Sequence, residues 1–221
     1  MLSRLLPPRE GWPVSRAATI LGESLPPSAT EHLSLWLDRL AEWNAGVDLT
    51  AARSSDELVD LMVADALVLS PHLPEGARVV DVGTGAGAPG LAMAILRPDL
   101  RVTLVEPLGK RRAFLRSVIG SLNRLDVTLE GKTGEGLAFE REGAWDVALS
   151  RATLPPAEWL LLAERLLAHE GSAWVFLARE SAPILAGMTE ADALSYAWPL
   201  TGAARRLIRY VKGGTRVQEG D

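Results

Sequence analysis

Cysteine is absent from this chain of 221 residues, which rules out disulfides, thiolate metal sites and a cysteine nucleophile and fits a reducing cytoplasm. Histidine is scarce: His32, His72 and His169 stand far apart, so no metal site is expected. No apolar run reaches the roughly 18 residues of a membrane span, and no membrane contact is expected. In the opening MLSRLLPPRE, Pro7-Pro8 interrupts the leucines before an apolar signal-peptide core develops, so no signal peptide is expected either. An excess of positive charge is missing as well. Lys and Arg number 23 against 28 Asp and Glu, and the net charge of -5 argues against holding nucleic acid by overall field. Local basic clusters remain, Lys110-Arg111-Arg112 with Arg116 and Arg205-Arg206 with Arg209 and Lys212; each, taken alone, reads as a solvated face.

What is present suffices for one good core with a small appendage, since 48% of the residues are hydrophobic and 23% charged. Between Ser28 and about Asn44, apolar residues recur at Leu33, Trp36, Leu37, Leu40 and Trp43, the spacing of one helical face, and Ser28-x-x-Glu31 suggests a capping box. Ser54-x-x-Glu57 suggests a second box, opening a helix with Leu58, Leu61, Met62 and Leu69. Prolines 7, 8, 13, 26 and 27 punctuate the early connections, so residues 1–70 read as a helical extension.

From Ala77 the pattern becomes strands alternating with helices: strand 77–82, helix 88–96, strand 101–106, helix 110–122, strands 126–130 and 144–150, helix 156–168 and strand 172–178. Such alternation implies right-handed crossovers and a parallel sheet. The stretch ARVVDVGTGAGAPG, residues 77–90, is the most informative within it. A buried strand carrying Asp81 leads into Gly83, Gly85, Gly87 and Ala88, where backbone turns tightly and a ligand approaches without meeting Cβ atoms. Glu106, twenty-one positions after Gly85 at the end of the next strand, is placed to accept hydrogen bonds from two ribose hydroxyls. The loop alone does not choose between a dinucleotide and S-adenosylmethionine.

The tail favours the second. The runs 194–200 and 205–211 are separated only by Thr201-Gly202-Ala203-Ala204, too short for a parallel crossover, and predict an antiparallel hairpin at the sheet edge. Five parallel strands followed by an antiparallel pair is the plan of the α/β, Rossmann-like class I S-adenosylmethionine-dependent methyltransferases. That plan assigns residues 71–221 to a catalytic domain with a mostly parallel seven-stranded sheet. Two other motifs carry no chemistry. Gly131-Lys132-Thr133 resembles the end of a phosphate loop, but Asp126 stands where that loop needs glycine. Leu154-Pro155-Pro156-Ala157 matches neither end of the motif of enzymes that methylate exocyclic amines, and reads as a prolyl turn before a helix.

Further residues resemble a known family nearly end to end. They are Leu40-x-x-Trp43-Asn44, Leu49-Thr50, Asp65, the run from Asp81 to Asp99 with its Pro89-Gly90 pair, Glu106 with Gly109-Lys110-Arg111-x-x-Phe114-Leu115, and Asp146-x-x-x-Ser150-Arg151-Ala152. The family is that of the bacterial small-subunit (16S) ribosomal RNA guanine-N7 methyltransferases, methyltransferase G or glucose-inhibited division protein B. The resemblance implies S-adenosyl-L-methionine as cofactor, with Gly83 and Ala88 at its methionine and sulfonium end, Glu106 at its ribose and Thr133, Gly134 and Glu135 at its adenine. It implies Arg151 beside the methyl donor and the incoming RNA. Lys110, Arg111, Arg112, Lys132 and Arg179 are the expected RNA contacts, with the 110–112 cluster either meeting phosphates or only capping the sheet, and a monomer acting on small-subunit rRNA within a ribosomal particle is expected.

The inventory suits that chemistry. Guanine N7 has an in-plane lone pair and no proton, so attack on a sulfonium methyl needs positioning rather than a general base. An A-form duplex hides N7 in a deep narrow groove, so the acceptor is expected in a particle rather than as free duplex. Departures fall on the acceptor half: Met62, Ala66 and Asp48 replace the family's His, Ser and Asn, Arg179-Glu180 replaces Lys-Gly, and Lys132 replaces Arg. A diverged methyltransferase with another acceptor, or a silent cofactor-binding protein that binds RNA or a partner, therefore remain alternatives.

Overall fold

The computed structural model describes residues 8, 10–124 and 126–213, so the residues on which the signal-peptide expectation rests lie largely outside it. Among the described residues four α-helices precede the sheet: α1 (Val14–Ile20), α2 (Pro27–Val47), α3 (Ser55–Val59) and α4 (Asp65–Leu69), the last two joined through a π turn (Asp60–Ala64). Helix α2 opens differently from the sequence expectation. Pro26 is the cap residue and Pro27 fills the first helical position, where its missing N–H has no partner to lose, so Ser28 lies inside the first turn and caps nothing. The second box forms at the expected residues with its return bond displaced by one: the Ser54 hydroxyl accepts the Glu57 N–H, and the Glu57 carboxylate accepts the N–H of Arg53, the residue before the cap, at 2.7 Å.

The sheet contains β1 (Arg78–Val82), β2 (Arg101–Val105), β3 (Thr128–Glu130), β4 (Trp145–Ser150), β5 (Leu167–Leu177), β6 (Met188–Ala197) and β7 (Ala204–Lys212), in the order β3-β2-β1-β4-β5-β7-β6. The first five strands are parallel; β7 runs antiparallel to both β5 and β6, as the short hairpin connection requires. Helices α5 (Gly90–Leu96), α6 (Gly109–Ser121), α7 (Gly134–Glu140) and α8 (Pro156–Leu166) complete the crossovers. The three largest departures from the expected elements concern β5, β6 and α7. Strands β5 and β6 begin several residues earlier, and the short α7 was missed because Gly134 and Gly136 weaken its helical signal.

Side chains of β1 alternate across the sheet, and each face has its own core. Val79 packs with the N-terminal helices, α5 and α6, whereas Val80 and Val82 pack with α7 and α8. At the opposite end from the glycine loop, Arg78 grips Asp146 through a 2.6 Å ion pair and a 2.8 Å backbone hydrogen bond, fixing β1 against β4 and holding the Asp146 carboxyl below its ordinary pKa. Because β1 pairs with β2 on one side and β4 on the other, the order in which strands are added reverses there, and a crevice opens at the carboxyl ends of these strands.

Candidate active site

That crevice is built around the turn after β1. Gly83, Gly85 and Gly87 have φ of 71°, 61° and 111°, conformations that side chains disfavour. A Cβ on Gly83 would collide with Thr153, while one on Gly85 would meet only the Gly83 carbonyl at 4.0 Å, so the loop surface lies open to a ligand. The turn is held from three sides. Gly83 and Thr84 donate to the Val105 carbonyl at 2.8 and 3.1 Å, the Trp36 indole of α2 donates to Ala86 at 3.0 Å, and Asp81 accepts the Gly90 N–H at 2.8 Å. Burial pushes the Asp81 carboxyl up to about 6, against the opposing pull of the Thr84 hydroxyl, the Gly90 N–H and the charge of Arg151.

Glu106, only 2% exposed, crosses from the end of β2 to the loop. One oxygen accepts the Gly85 N–H at 3.0 Å and the other the Leu108 N–H at 2.8 Å, with the Arg111 guanidinium 3.8 Å away. A carboxylate has about four acceptor positions, so capacity remains for two ribose hydroxyls. The cavity in front measures about 560 Å³, within the usual size of small-molecule sites, and is lined by Gly83, Gly85, Ala88, Glu106, Arg111 and Arg151 among others. An open glycine cradle beside a fixed carboxylate fits an adenosine-bearing cofactor.

The remaining expected residues are distributed more widely. Asp81 and Gly87 are buried behind the loop, supporting its shape. Thr133, Gly134 and Glu135 begin α7 and are not among the residues lining the cavity. Thr133 caps that helix by accepting the Gly136 N–H, and a Cβ on Gly134 would meet Leu162 and Val82 at 2.6 and 2.7 Å. The basic cluster divides: Arg111 faces the cavity and Lys110 a neighbouring recess at the end of α2, while Arg112 turns inward to donate to the carbonyls of Glu106, at 3.2 Å, and Pro107. Lys132 pairs with Glu140 and, at 3.9 Å, with Glu130; Arg179 is exposed on the loop after β5. Of the departures, Asp48 ends α2 in the left-handed conformation that Asn and Asp tolerate, Ala66 is fully buried, and Met62 lines the cavity.

Arg151, at the end of β4, leads to a cluster that sequence reasoning did not assign. Its guanidinium donates to Asp65 at 2.9 Å and to the Leu61 carbonyl. The other Asp65 oxygen accepts from the Tyr196 hydroxyl at 2.6 Å and the Trp198 indole at 2.7 Å. Burial, then the Asp65 charge, push the Tyr196 hydroxyl pKa far above its ordinary value. Asp60, one π turn earlier, accepts from the Thr201 N–H and hydroxyl, both at 2.7 Å, and from the Leu200 N–H at 3.2 Å. Two buried carboxylates thus dock the β6–β7 tip onto the N-terminal helices. One signal was available: Asp65 lies on the same helical face as Leu58, Met62 and Leu69, where a lone carboxylate demands buried partners.

A family model described as rRNA small subunit methyltransferase G matches residues 29–192. Curated relatives named ribosomal RNA small subunit methyltransferase G include one from Methylobacillus flagellatus, 39% identical over 151 residues that cover 68% of this chain and 72% of the relative. Another, from Anaeromyxobacter dehalogenans, is 34% identical over 206 residues, covering 89% and 95%. Among solved structures, TYW2 of P. horikoshii in complex with MeSAdo aligns with TM-score 0.53 at 13% identity, over 69% of this chain and 63% of that one. TrmN from Thermus thermophilus aligns with TM-score 0.50 at 19% identity, over 67% and 47%. At such identities these two report the shared fold. Among the described residues no helix is long and apolar enough to cross a membrane, and no three carboxylates or histidines gather as metal ligands.

Proposed function

Because the chain belongs to the rRNA small subunit methyltransferase G family, we propose that it moves a methyl group from S-adenosylmethionine to guanine N7 of 16S rRNA, acting as a cytoplasmic monomer on a ribosomal particle. The observation that carries this reading is the junction of the glycine cradle and Glu106 with Arg151 in one cavity. When bound, the cofactor supplies an electrophilic methyl carbon attached to a positively charged sulfur. Gly83 and Gly85 would let the cofactor lie against bare backbone, and Glu106 would accept its ribose hydroxyls from a position already fixed by two N–H donors. Asp81 and Gly87 hold the cradle from behind, while the assignment of Thr133, Gly134 and Glu135, at the start of α7, to the adenine rests on the family resemblance and not on the lining of this cavity.

Arg151 is the residue proposed to touch the reacting centre. Its bond to Asp65 fixes the guanidinium where the cavity opens toward RNA, so it positions the acceptor and meets phosphate charge without carrying a proton. None is needed at N7. Arg111 and Lys110 extend this basic edge, and Lys132 and Arg179 widen it. Residues 1–70 serve as the helical extension and 71–221 as the methyltransferase domain.

The test has two parts. Calorimetry with S-adenosylhomocysteine should show binding and with NAD none; the reverse would overturn the cofactor reading. Small subunits lacking the modification, incubated with the protein and S-adenosylmethionine, should gain one 7-methylguanosine detectable by mass spectrometry of the 16S rRNA. Methylation of a different atom or a different RNA would overturn the acceptor reading, and equal rates on a short free duplex would overturn the particle requirement.

A further inference from the structure

A second cavity, about 270 Å³, lies on the far side of Arg151 from the glycine loop and shares Leu61, Arg151 and Ala152 with the first. We propose that it receives the acceptor base, drawn out of its strand, and that Glu180, standing where the resembled family has glycine, adds selection for guanine in this chain; this rests on the guanine-N7 reading above. Three features point there. Its volume is about half that of the cavity at the glycine loop and accommodates one planar base. Its walls are largely aromatic and apolar, with Trp159, Phe176 and Leu154, and the Arg205 guanidinium lies 3.7 Å from the Trp198 ring. Aromatic rings and guanidinium planes are the surfaces on which extruded bases stack.

The polar groups supply the third feature. Of the two acids lining this pocket, Asp65 is engaged by Arg151, Tyr196 and Trp198, and acts as a positioning residue that holds the partition and one wall together. Glu180 is exposed on the loop after β5, with one carboxylate oxygen accepting the Ala178 and Arg179 N–H groups at 2.8 and 3.0 Å. Backbone hydrogen bonds, first that of Glu180 itself and then those of Ala178 and Arg179, keep its carboxyl below the ordinary pKa, so it is an acceptor at neutral pH. Guanine offers two donors on its Watson–Crick edge, N1–H and the N2 amino group, where adenine offers an acceptor at N1. A base held by that edge directs N7, on its opposite edge, away from Glu180 and leaves it free for the methyl donor.

The experiment follows the indole N–H signal of Trp198, identified by its loss in Trp198→Phe, in protein preloaded with S-adenosylhomocysteine. Guanosine 5′-monophosphate should shift it saturably, and adenosine 5′-monophosphate should bind at least about tenfold more weakly, the equivalent of about 1.4 kcal/mol. Glu180→Gln should shrink that preference to roughly twofold while S-adenosylhomocysteine still binds as in the wild type. An unmoved Trp198 signal, or equal binding of the two nucleotides, overturns the pocket. Methyl transfer to small subunits separates the two levels of the proposal. Normal turnover in both Trp198→Ala and Glu180→Gln overturns the pocket but keeps the guanine-N7 reading, whereas guanosine monophosphate binding without any transfer to the particle supports the pocket and overturns the rRNA reading.

Discussion

Two buried carboxylates stand at the two cavities, Glu106 at the first and Asp65 at the second, and they are held in opposite ways. Glu106 takes its hydrogen bonds from backbone N–H groups of its own neighbourhood, those of Gly85 and Leu108, 21 and 2 positions away. Asp65 takes its bonds from side chains 86, 131 and 133 positions away. A locally held carboxylate is shaped by one strand–loop–helix unit and is available to a ligand. A carboxylate held at long range joins separate parts of the chain, and its removal is felt by the whole fold.

The largest effect should come from Asp65→Ala, which strands a partly buried guanidinium and two ring donors. About 3–5 kcal/mol of unfolding free energy should disappear in urea titration; a loss below roughly 1 kcal/mol would break the contrast with Glu106. Glu106→Ala should act chiefly on binding. Two charge-assisted hydrogen bonds to ribose, about 1.5–3 kcal/mol each, correspond to at least a hundredfold rise in the Kd for S-adenosylhomocysteine by calorimetry. An unchanged Kd would remove Glu106 from the site.

Asp81 sharpens the comparison as a carboxylate whose burial outweighs its partners. Its folded pKa, about 6, lies above the unfolded value near 3.8, so the native state binds the proton more tightly. Its contribution to stability is therefore fully present below about pH 4 and is lost as pH rises to about 6, a fall on the order of 2–3 kcal/mol. Asp81→Asn should flatten that interval in denaturation curves recorded across it; an unaltered slope would contradict the burial argument. The smallest effects should divide the basic cluster. Arg111→Ala should lower the salt-dependence slope of particle binding by about one, whereas Arg112→Ala should leave the slope intact and cost about 1 kcal/mol of stability through its lost carbonyl bonds.

The same local-versus-distant division explains what the sequence reveals. The alternation from β1 to β5, the glycine loop and Glu106 were legible because their determinants lie within about twenty residues, as was the terminal hairpin from its short turn. Arg151 was legible as a strand end beside the loop, but its partner was not. Asp60 and Asp65 meet residues of the β6–β7 tip across separations of 131 to 141, which no periodicity encodes. The π turn between them was equally hidden, since apolar spacing does not distinguish a widened turn from an α-helical one. Short range misled as well: Ser28 offered a cap that Pro26 and Pro27 pre-empted, and two glycines concealed α7.

The docking of the hairpin tip onto Asp60 and Asp65 also sets an order in time. Contacts of such separation close late, after the loop-entropy cost of the intervening chain has been met, while the β1–α5–β2 unit can form from local contacts. During synthesis, the glycine cradle and Glu106 emerge with more than a hundred residues still to come, and the wall that completes the second chamber arrives only with residues 196–205. The residues of the glycine cradle and Glu106 are therefore synthesised well before those that close the second chamber.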